Sequence, residues 1–182
     1  MENITKLQDI IDSKILNDRK VFLWGQVDDD SAKHVIDRLL YLELIDPKKE
    51  IQLVINSPGG YVTSGFAIYD TMKAIKCPIS TVCTGLAASM GSILLSGGDK
   101  GRRFILPHAK VMIHQPSGGA GGQASDIEIQ MDEIIKTKNI SAQILADNCG
   151  QTLEQVQKDF NRDYWMTAEE SIAYGIVDGL AK

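Results

Sequence analysis

Short apolar runs rich in β-branched residues alternate along this chain with segments of helical periodicity. The runs occupy residues 21–24, 51–55 and 79–83. The segments between them carry apolar side chains at helical spacing, as Val35 and Leu39 do in the first. A strand, a helix and a second parallel strand form a unit with a right-handed crossover. The alternation therefore predicts an α/β fold of repeated βαβ units.

The other elements follow from the same two periodicities. Three further strands are predicted, at 103–106, 110–113 and 177–180. A short amphipathic helix is predicted at the start of the chain from four apolar residues, Ile4, Leu7, Ile11 and Ile15.

Local signals predict where several elements begin and end. Asp30 or Ser31 is expected to cap the helix after the first strand, and the NSPGG run at 56–60 is expected to form a turn. Two capping boxes predict short helices later in the chain. They are Thr152 with Gln155 and Thr167 with Glu170.

The longest helical pattern covers residues 124–149 and has Gly150 as its stop signal. Asp132 and Lys136 are expected to pair on its polar face. At roughly 1.5 Å per residue the helix would span about 40 Å. A helix of that length in a small domain is expected to project and to pack on a neighbouring subunit.

Size and charge exclude several classes of protein. No repeat or linker divides the 182 residues, so residues 1–182 are expected to form one domain. A net charge of −5 argues against a surface for nucleic acid or an anionic membrane. Acidic residues within the first twenty, and the absence of a long apolar run, predict neither a secretory signal nor a membrane span.

The cysteines and histidines predict neither a disulfide nor a metal site. Three cysteines without a CxxC pattern are interpreted as small buried residues of a reducing cytoplasm. They are Cys77, Cys83 and Cys149. The three histidines do not stand at metal-ligand spacing, so no metal is expected. They are His34, His108 and His114.

A serine between small residues follows the third strand. The run GLAASMGS at 85–92 places Ser89 just before a helical pattern, close to the turn that exposes a nucleophilic serine. A helix beginning there would offer free N–H groups to a developing oxyanion. The octapeptide by itself favours a small-residue patch for tight helix packing over a nucleophile turn.

A nucleophilic serine needs a base and an orienting acid. His114 ends a β-rich run, whereas His34 is expected on an exposed helix face and His108 in a turn. Asp163 precedes a short strand and is the candidate acid. Each residue also has a purely structural interpretation, and spacing alone does not decide between the two.

Five motifs together resemble the proteolytic subunit of the Clp protease, over residues 21–180. They are INSPGG at 55–60, AASMGS at 87–92, MIHQP at 112–116, GQASDI at 122–127 and Arg162-Asp163. The resemblance implies a fold of the Clp protease and crotonase kind with a projecting handle helix at 123–149. It also implies a serine peptidase of cytoplasmic protein quality control.

The resemblance assigns roles to individual residues. Ser89 corresponds to the nucleophile, His114 to the general base and Asp163 to the orienting acid. The backbone N–H groups of Gly60 and Met90 correspond to the oxyanion hole. The backbone positions that pair with an extended substrate are Val62, Ser117 and Gly119. No cofactor is implied in this subunit, because ATP is used by a partner ATPase.

The implied assembly is a tetradecamer of two stacked heptameric rings that encloses the active sites. An AAA+ unfoldase of the ClpX, ClpA or ClpC type would feed it unfolded polypeptides, and neither nucleic acid nor membrane is implied.

Three departures from the family pattern predict a divergent paralogue. Residues 1–20 lack the usual pore-lining hairpin, Gln52 and Val54 replace aromatic residues of the ATPase docking pocket, and Asn161 replaces an acidic residue of the ring interface. We therefore expect a second, paralogous subunit to form the other ring. The alternatives are a poorly active or scaffold ring and an acyl-CoA-binding enzyme of the crotonase type.

Overall fold

The computed structural model describes the backbone of residues 2–181 and the side chains of residues 6–181. Its helices and strands alternate through most of the chain. In order they are α1 (Glu2–Asn17), β1 (Lys20–Val27), α2 (Asp29–Ile45), β2 (Ile51–Gly60), α3 (Val62–Ala74), β3 (Ile79–Ala88), α4 (Met90–Ser96), β4 (Arg103–Ile105), β5 (Lys110–Ile113), α5 (Ala124–Cys149), α6 (Leu153–Asp159), β6 (Tyr164–Met166), α7 (Ala168–Tyr174) and β7 (Gly179–Leu180).

The strands form one mixed sheet in which β1, β2, β3, β4 and β7 lie side by side and parallel. The long strand β3 has two neighbours on its far side, because β4 pairs with its first half and β5 with its second half. Strand β6 pairs antiparallel with β5. The α/β prediction is confirmed, as is the helix at the start of the chain, although the Ile4 side chain lies outside the described residues.

Apolar side chains from the strands and helices form a continuous core. Its largest fully buried members include Leu23, Leu39, Leu53, Leu94 and Phe160. The three cysteines are buried and free, as predicted.

The NSPGG turn prediction is wrong, because β2 continues through Gly60. Both neighbouring ladders are irregular here. One extra β2 residue lies between the pairs Trp24–Asn56 and Gln26–Gly59, and two extra β3 residues lie between the pairs Ile55–Cys83 and Ser57–Ala87. Side chains form hydrogen bonds with backbone groups that the ladder does not pair. Asn56 Oδ1 accepts a hydrogen bond from Leu86 N at 3.1 Å, so the chain remains part of the sheet.

The predicted cap of α2 is also wrong, because Asp28 caps the helix instead of Asp30 or Ser31. Asp28 Oδ1 accepts from Ser31 N at 2.8 Å, and Ser31 Oγ accepts from Asp28 N at 2.9 Å. This reciprocal pair satisfies two backbone donors at once.

The later capping boxes differ from each other. Thr167 and Glu170 form the complete reciprocal box that was predicted. Thr152 Oγ1 accepts from Gln155 N, but the Gln155 side chain donates to Asp159 instead of reaching back.

Helix α5 has the predicted bounds, and Gly150 ends it in the left-handed conformation. The predicted pair of Asp132 and Lys136 is wrong, since Lys136 Nζ lies 2.6 Å from Glu133 Oε1. The buried residues of α5 all lie within 141–149. The preceding two thirds of the helix therefore extend beyond the core of the chain.

Candidate active site

Ser89 occupies the junction between β3 and α4. Its backbone has φ +53° and ψ −121°, a conformation that non-glycine residues rarely adopt. Ser89 N donates to Met112 O at 2.9 Å, which ties the junction to β5, and the Ser92 hydroxyl donates to Ser89 O at 2.6 Å. The strained turn is thus held from both sides, as a strand-to-helix elbow requires.

His114 reaches Ser89 because β5 runs parallel to the end of β3. Ala88 pairs with Met112, so the residues just beyond each strand end lie close together. His114 Nε2 lies 2.8 Å from Ser89 Oγ, within hydrogen-bond reach. His114 is the histidine within reach of Ser89, whereas His34 lies on the exposed face of α2 and His108 in the turn before β5.

Asp163 completes the arrangement from the antiparallel strand β6. Ile113 pairs with Tyr164, which puts the preceding residue Asp163 opposite His114. His114 Nδ1 lies 3.0 Å from Asp163 Oδ1. A proton on Nδ1 directed to the carboxylate leaves Nε2 free to accept the serine proton.

Two neighbouring glycines of β2 make close backbone contacts, Gly59 with the elbow and Gly60 with Val27 of β1. A Cβ built on Gly59 would lie 2.7 Å from Ser89 Cβ and 2.9 Å from Met90 N, and the φ of Gly59 is +89°. A Cβ on Gly60 would lie 2.1 Å from Val27 O. The bare backbone therefore passes directly beside the serine, where a reacting carbonyl has to be received.

Met90 fixes the beginning of α4. As the first residue of the helix, it has no partner for its N–H within that helix. The buried Met90 side chain fills the space beside Gly65 of α3: a Cβ built on Gly65 would lie 2.1 Å from Met90 Cγ. Helices α3 and α4 therefore pack closely at this point. The Met90 N–H is thus anchored beside Gly59 and Ser89.

A cleft of about 370 Å³ extends from His114 between the loop after β5 and the N-terminal half of α5. Met131 and Ile134 line one side, and Asn161 and Arg162 line another. Of the residues expected to pair with substrate, Ser117 lines this cleft. Gly119 lies in the exposed loop beyond it, and Val62 begins α3 two residues after Gly60.

The thiols do not compete with Ser89 for the role of nucleophile. Burial raises the pKa of Cys83 and of Cys149 to about 12 each, and it also raises the pKa of Cys77. Thiols of this kind stay protonated near neutral pH and are poor nucleophiles.

Sequence reasoning missed the buried residues that pack against the elbow. Ser57, Gly59 and Gly65 are buried beside it, but the first two were interpreted only as parts of a turn and the third as an ordinary helix position. For Ser57 and Gly59 the sequence signal was the density of small residues in INSPGG, and that density does not indicate which residues they contact.

The comparison with known families agrees with this geometry. The model of the Clp protease family matches residues 3–182, nearly the whole chain. Within residues 2–181, none of the helices is long and apolar enough to cross a bilayer. A match over this length shows descent, and the chain belongs to the Clp protease family, a family of serine peptidases.

Proposed function

We propose that this chain is the serine endopeptidase subunit of an ATP-dependent Clp protease, with Ser89 as nucleophile, His114 as base and Asp163 as orienting acid. The observation that carries the proposal is the continuous chain of side chains, 2.8 Å from Ser89 to His114 and 3.0 Å from His114 to Asp163. The chemistry needs no cofactor in this subunit, since ATP would be used by the unfolding partner.

In the proposed acylation step, Ser89 Oγ attacks the peptide carbonyl carbon while His114 Nε2 takes the hydroxyl proton. The carbonyl electron pair moves onto oxygen, and the backbone N–H groups of Gly60 and Met90 receive the oxyanion. Collapse of the intermediate breaks the C–N bond, and His114 returns the proton to the leaving amine. Water then attacks the acyl-enzyme by the same steps and releases Ser89.

The substrate would lie as an extended strand between the loop after β5 and the start of α3. Val62, Ser117 and Gly119 would bind it through their backbone groups. This mode reads main chain instead of side chains. It suits a peptidase that degrades unfolded polypeptides of many sequences.

The handle helix supports assembly into two stacked heptameric rings. Apolar side chains are exposed on the part of α5 that extends beyond the core. They are Ile127, Ile129, Met131, Ile135 and Ile140. Such a surface on a soluble protein marks an interface with another subunit. The tetradecamer would act in cytoplasmic protein quality control and receive substrates from an AAA+ unfoldase.

Two surfaces support the proposal of a paralogous partner ring. Gln52 lines an open apolar cleft with Phe104 and Leu180, where the family pattern has aromatic residues for the ATPase loop. Asn161 accepts a hydrogen bond from Gln115 through its backbone oxygen at 2.9 Å, and its neutral amide replaces the acid of the ring interface. A second subunit would restore both functions.

Fluorophosphonate labelling of Ser89, with and without the candidate second subunit, tests the proposal. We expect an adduct on Ser89 and a loss of peptidase turnover of roughly three to six powers of ten in Ser89→Ala, with assembly retained. A chain that never labels in either state would contradict a peptidase role for Ser89 and leave the scaffold and crotonase-type alternatives. If a mixed complex carrying Ser89→Ala keeps full activity, this ring is a scaffold.

A further inference from the structure

Ser57 lies where β2 leaves the regular sheet, directly below the elbow. Its side chain is fully buried, at 0% exposure. Its backbone pairs with Ala87, two residues before the nucleophile, and a Cβ on Gly91 would lie 3.1 Å from Ser57 O. Ser57 therefore contacts both β3 and α4, the two elements that meet at Ser89.

The hydroxyl of Ser57 has a specific partner. Ser57 Oγ accepts a hydrogen bond from Gly59 N at 3.1 Å, and Gly59 is itself buried. A side-chain oxygen that accepts from the backbone N–H two residues later fixes the local backbone conformation in place of a ladder bond. This bond holds the segment at the point where the pairing with β1 gains an extra residue.

The Gly59 backbone connects this segment of β2 to the site. It lies against Ser89 Cβ and Met90 N, and its φ of +89° is one that residues with a side chain rarely adopt. Gly60 follows it and packs on Val27. A change in the Gly59 backbone would therefore move the Gly60 N–H relative to the Met90 N–H.

We propose that Ser57 is a positioning residue for the oxyanion hole. Its hydroxyl holds Gly59 so that the N–H groups of Gly60 and Met90 converge on one point. The inference rests on the proposed peptidase function, because an oxyanion hole has meaning only for acyl transfer. Ser57 itself touches neither substrate nor reacting atoms.

A purely structural role for Ser57 makes a different prediction. If the hydroxyl only satisfied a buried N–H, its removal would lower stability and leave turnover per folded site unchanged. If it positions the oxyanion hole, its removal weakens interactions made in the transition state, so kcat falls while KM stays constant. Transition-state analogues should weaken together with kcat.

The experiment compares Ser57→Ala and Ser57→Cys with Ser80→Ala in the assembled enzyme. Ser80 is a suitable control because it is also a buried serine and its Oγ has no hydrogen-bond partner among the described residues. Cysteine keeps the approximate volume of serine and offers a weaker acceptor. The readouts are kcat, KM, the Kd of a peptide boronate, the melting temperature and the assembly state.

We expect Ser57→Ala to lower kcat about 10- to 100-fold, below the loss seen when an oxyanion donor is removed outright. Boronate binding should weaken by a similar factor, KM should stay within about twofold, Ser57→Cys should be intermediate and Ser80→Ala should match wild type. Unchanged kcat and boronate affinity in both Ser57 variants would overturn the inference, even with a lower melting temperature.

The wild-type control separates this result from a failure of the proposed function. A wild-type chain that forms no adduct at Ser89 overturns the peptidase itself, and the inference with it. A wild-type adduct together with unaffected Ser57 variants overturns only the role of Ser57.

Discussion

His114 Nδ1 lies 3.0 Å from Asp163 Oδ1, although the two side chains differ greatly in their contact with water: His114 is 25% exposed and Asp163 is 60% exposed. Solvent screens an exposed carboxylate, so its electrostatic contribution is smaller than that of a buried acid. The hydrogen bond still fixes the imidazole ring and its tautomer. We therefore expect Asp163 to act mainly by orienting His114.

Replacement of Asp163 should accordingly have a milder effect than replacement of Ser89. We expect Asp163→Ala to slow fluorophosphonate labelling of Ser89 about 10- to 1,000-fold, less than the roughly 10⁴-fold loss known for a buried triad acid. Asp159→Asn, on the preceding helix, serves as the matched control and should label at the wild-type rate. A loss of 10⁴-fold or more in the labelling rate of Asp163→Ala would contradict this prediction.

Most of the fold could be predicted from the sequence because its signals are local. The periodicity of residues 124–149 and the glycine that follows gave both bounds of α5. The cap of α2 could not be predicted in the same way, because residues 28–31 are all good capping types. The reciprocal bond between Asp28 and Ser31 decides among them, and it exists only in the folded geometry.

The site was predicted less from the residues than from the family resemblance. Ser89, His114 and Asp163 are brought together by two non-local pairings, Ala88 with Met112 and Ile113 with Tyr164. The register of these pairings depends on the whole sheet and cannot be recognised in the sequence of a single segment. The continuation of β2 through Gly60 was missed for the same reason.

Gly59 is predicted to tolerate no side chain. In Gly59→Ala the new Cβ would lie within 2.9 Å of Ala88 O, Ser89 Cβ and Met90 N, and φ +89° is unfavourable for alanine. Backbone atoms cannot rotate away, so the elbow itself must shift. We expect peptide turnover to fall at least about 100-fold, since small misplacements at a reacting centre have effects of this size.

Gly101→Ala provides the matched control for Gly59→Ala. Gly101 also has a positive φ, +83°, but a Cβ there has open space around it. Its substitution should lower stability slightly and leave turnover per folded site unchanged. If both variants lose activity equally, backbone strain in general is responsible, and the contact with Ser89 is not.

The ion pair between the buried Arg103 and the partly exposed Asp178 predicts a pH dependence of the free energy of unfolding. Burial alone would raise the pKa of Asp178, but hydrogen bonds from the Arg103 side chain and backbone and from Gly101 N hold that pKa below its usual range. Because the folded-state pKa is the lower one, the stabilisation is complete above the unfolded pKa of about 3.9 and is lost as the pH falls through the folded value.

Asp178→Asn should therefore destabilise the fold by about 2 kcal/mol at pH 7, since it leaves the buried Arg103 without its charged partner. The difference from wild type should shrink below about pH 4, as measured by urea unfolding across that range. Asp37→Asn removes one partner of an exposed pair with Lys33 and should cost under about 1 kcal/mol. A difference for Asp178→Asn that does not change with pH would refute the assignment.

The cleft around Gln52 predicts a gain of function. It measures about 410 Å³ and is lined by Gln52 together with apolar residues, namely Val82, Phe104, Leu180 and Ala181. Gln52→Tyr places an aromatic ring where the family pattern has one. An aromatic contact at a docking site is worth roughly 1–2 kcal/mol. We expect a peptide carrying the hydrophobic docking loop of a Clp ATPase to bind about 5- to 30-fold more tightly, by fluorescence polarisation.

Gln155→Tyr makes the same substitution on α6, away from this cleft, and controls for nonspecific adhesion of the peptide. It should leave the affinity at the wild-type level. Equal gains in the two variants would point to adhesion. No gain in Gln52→Tyr would mean that the missing aromatic ring does not limit docking at this cleft.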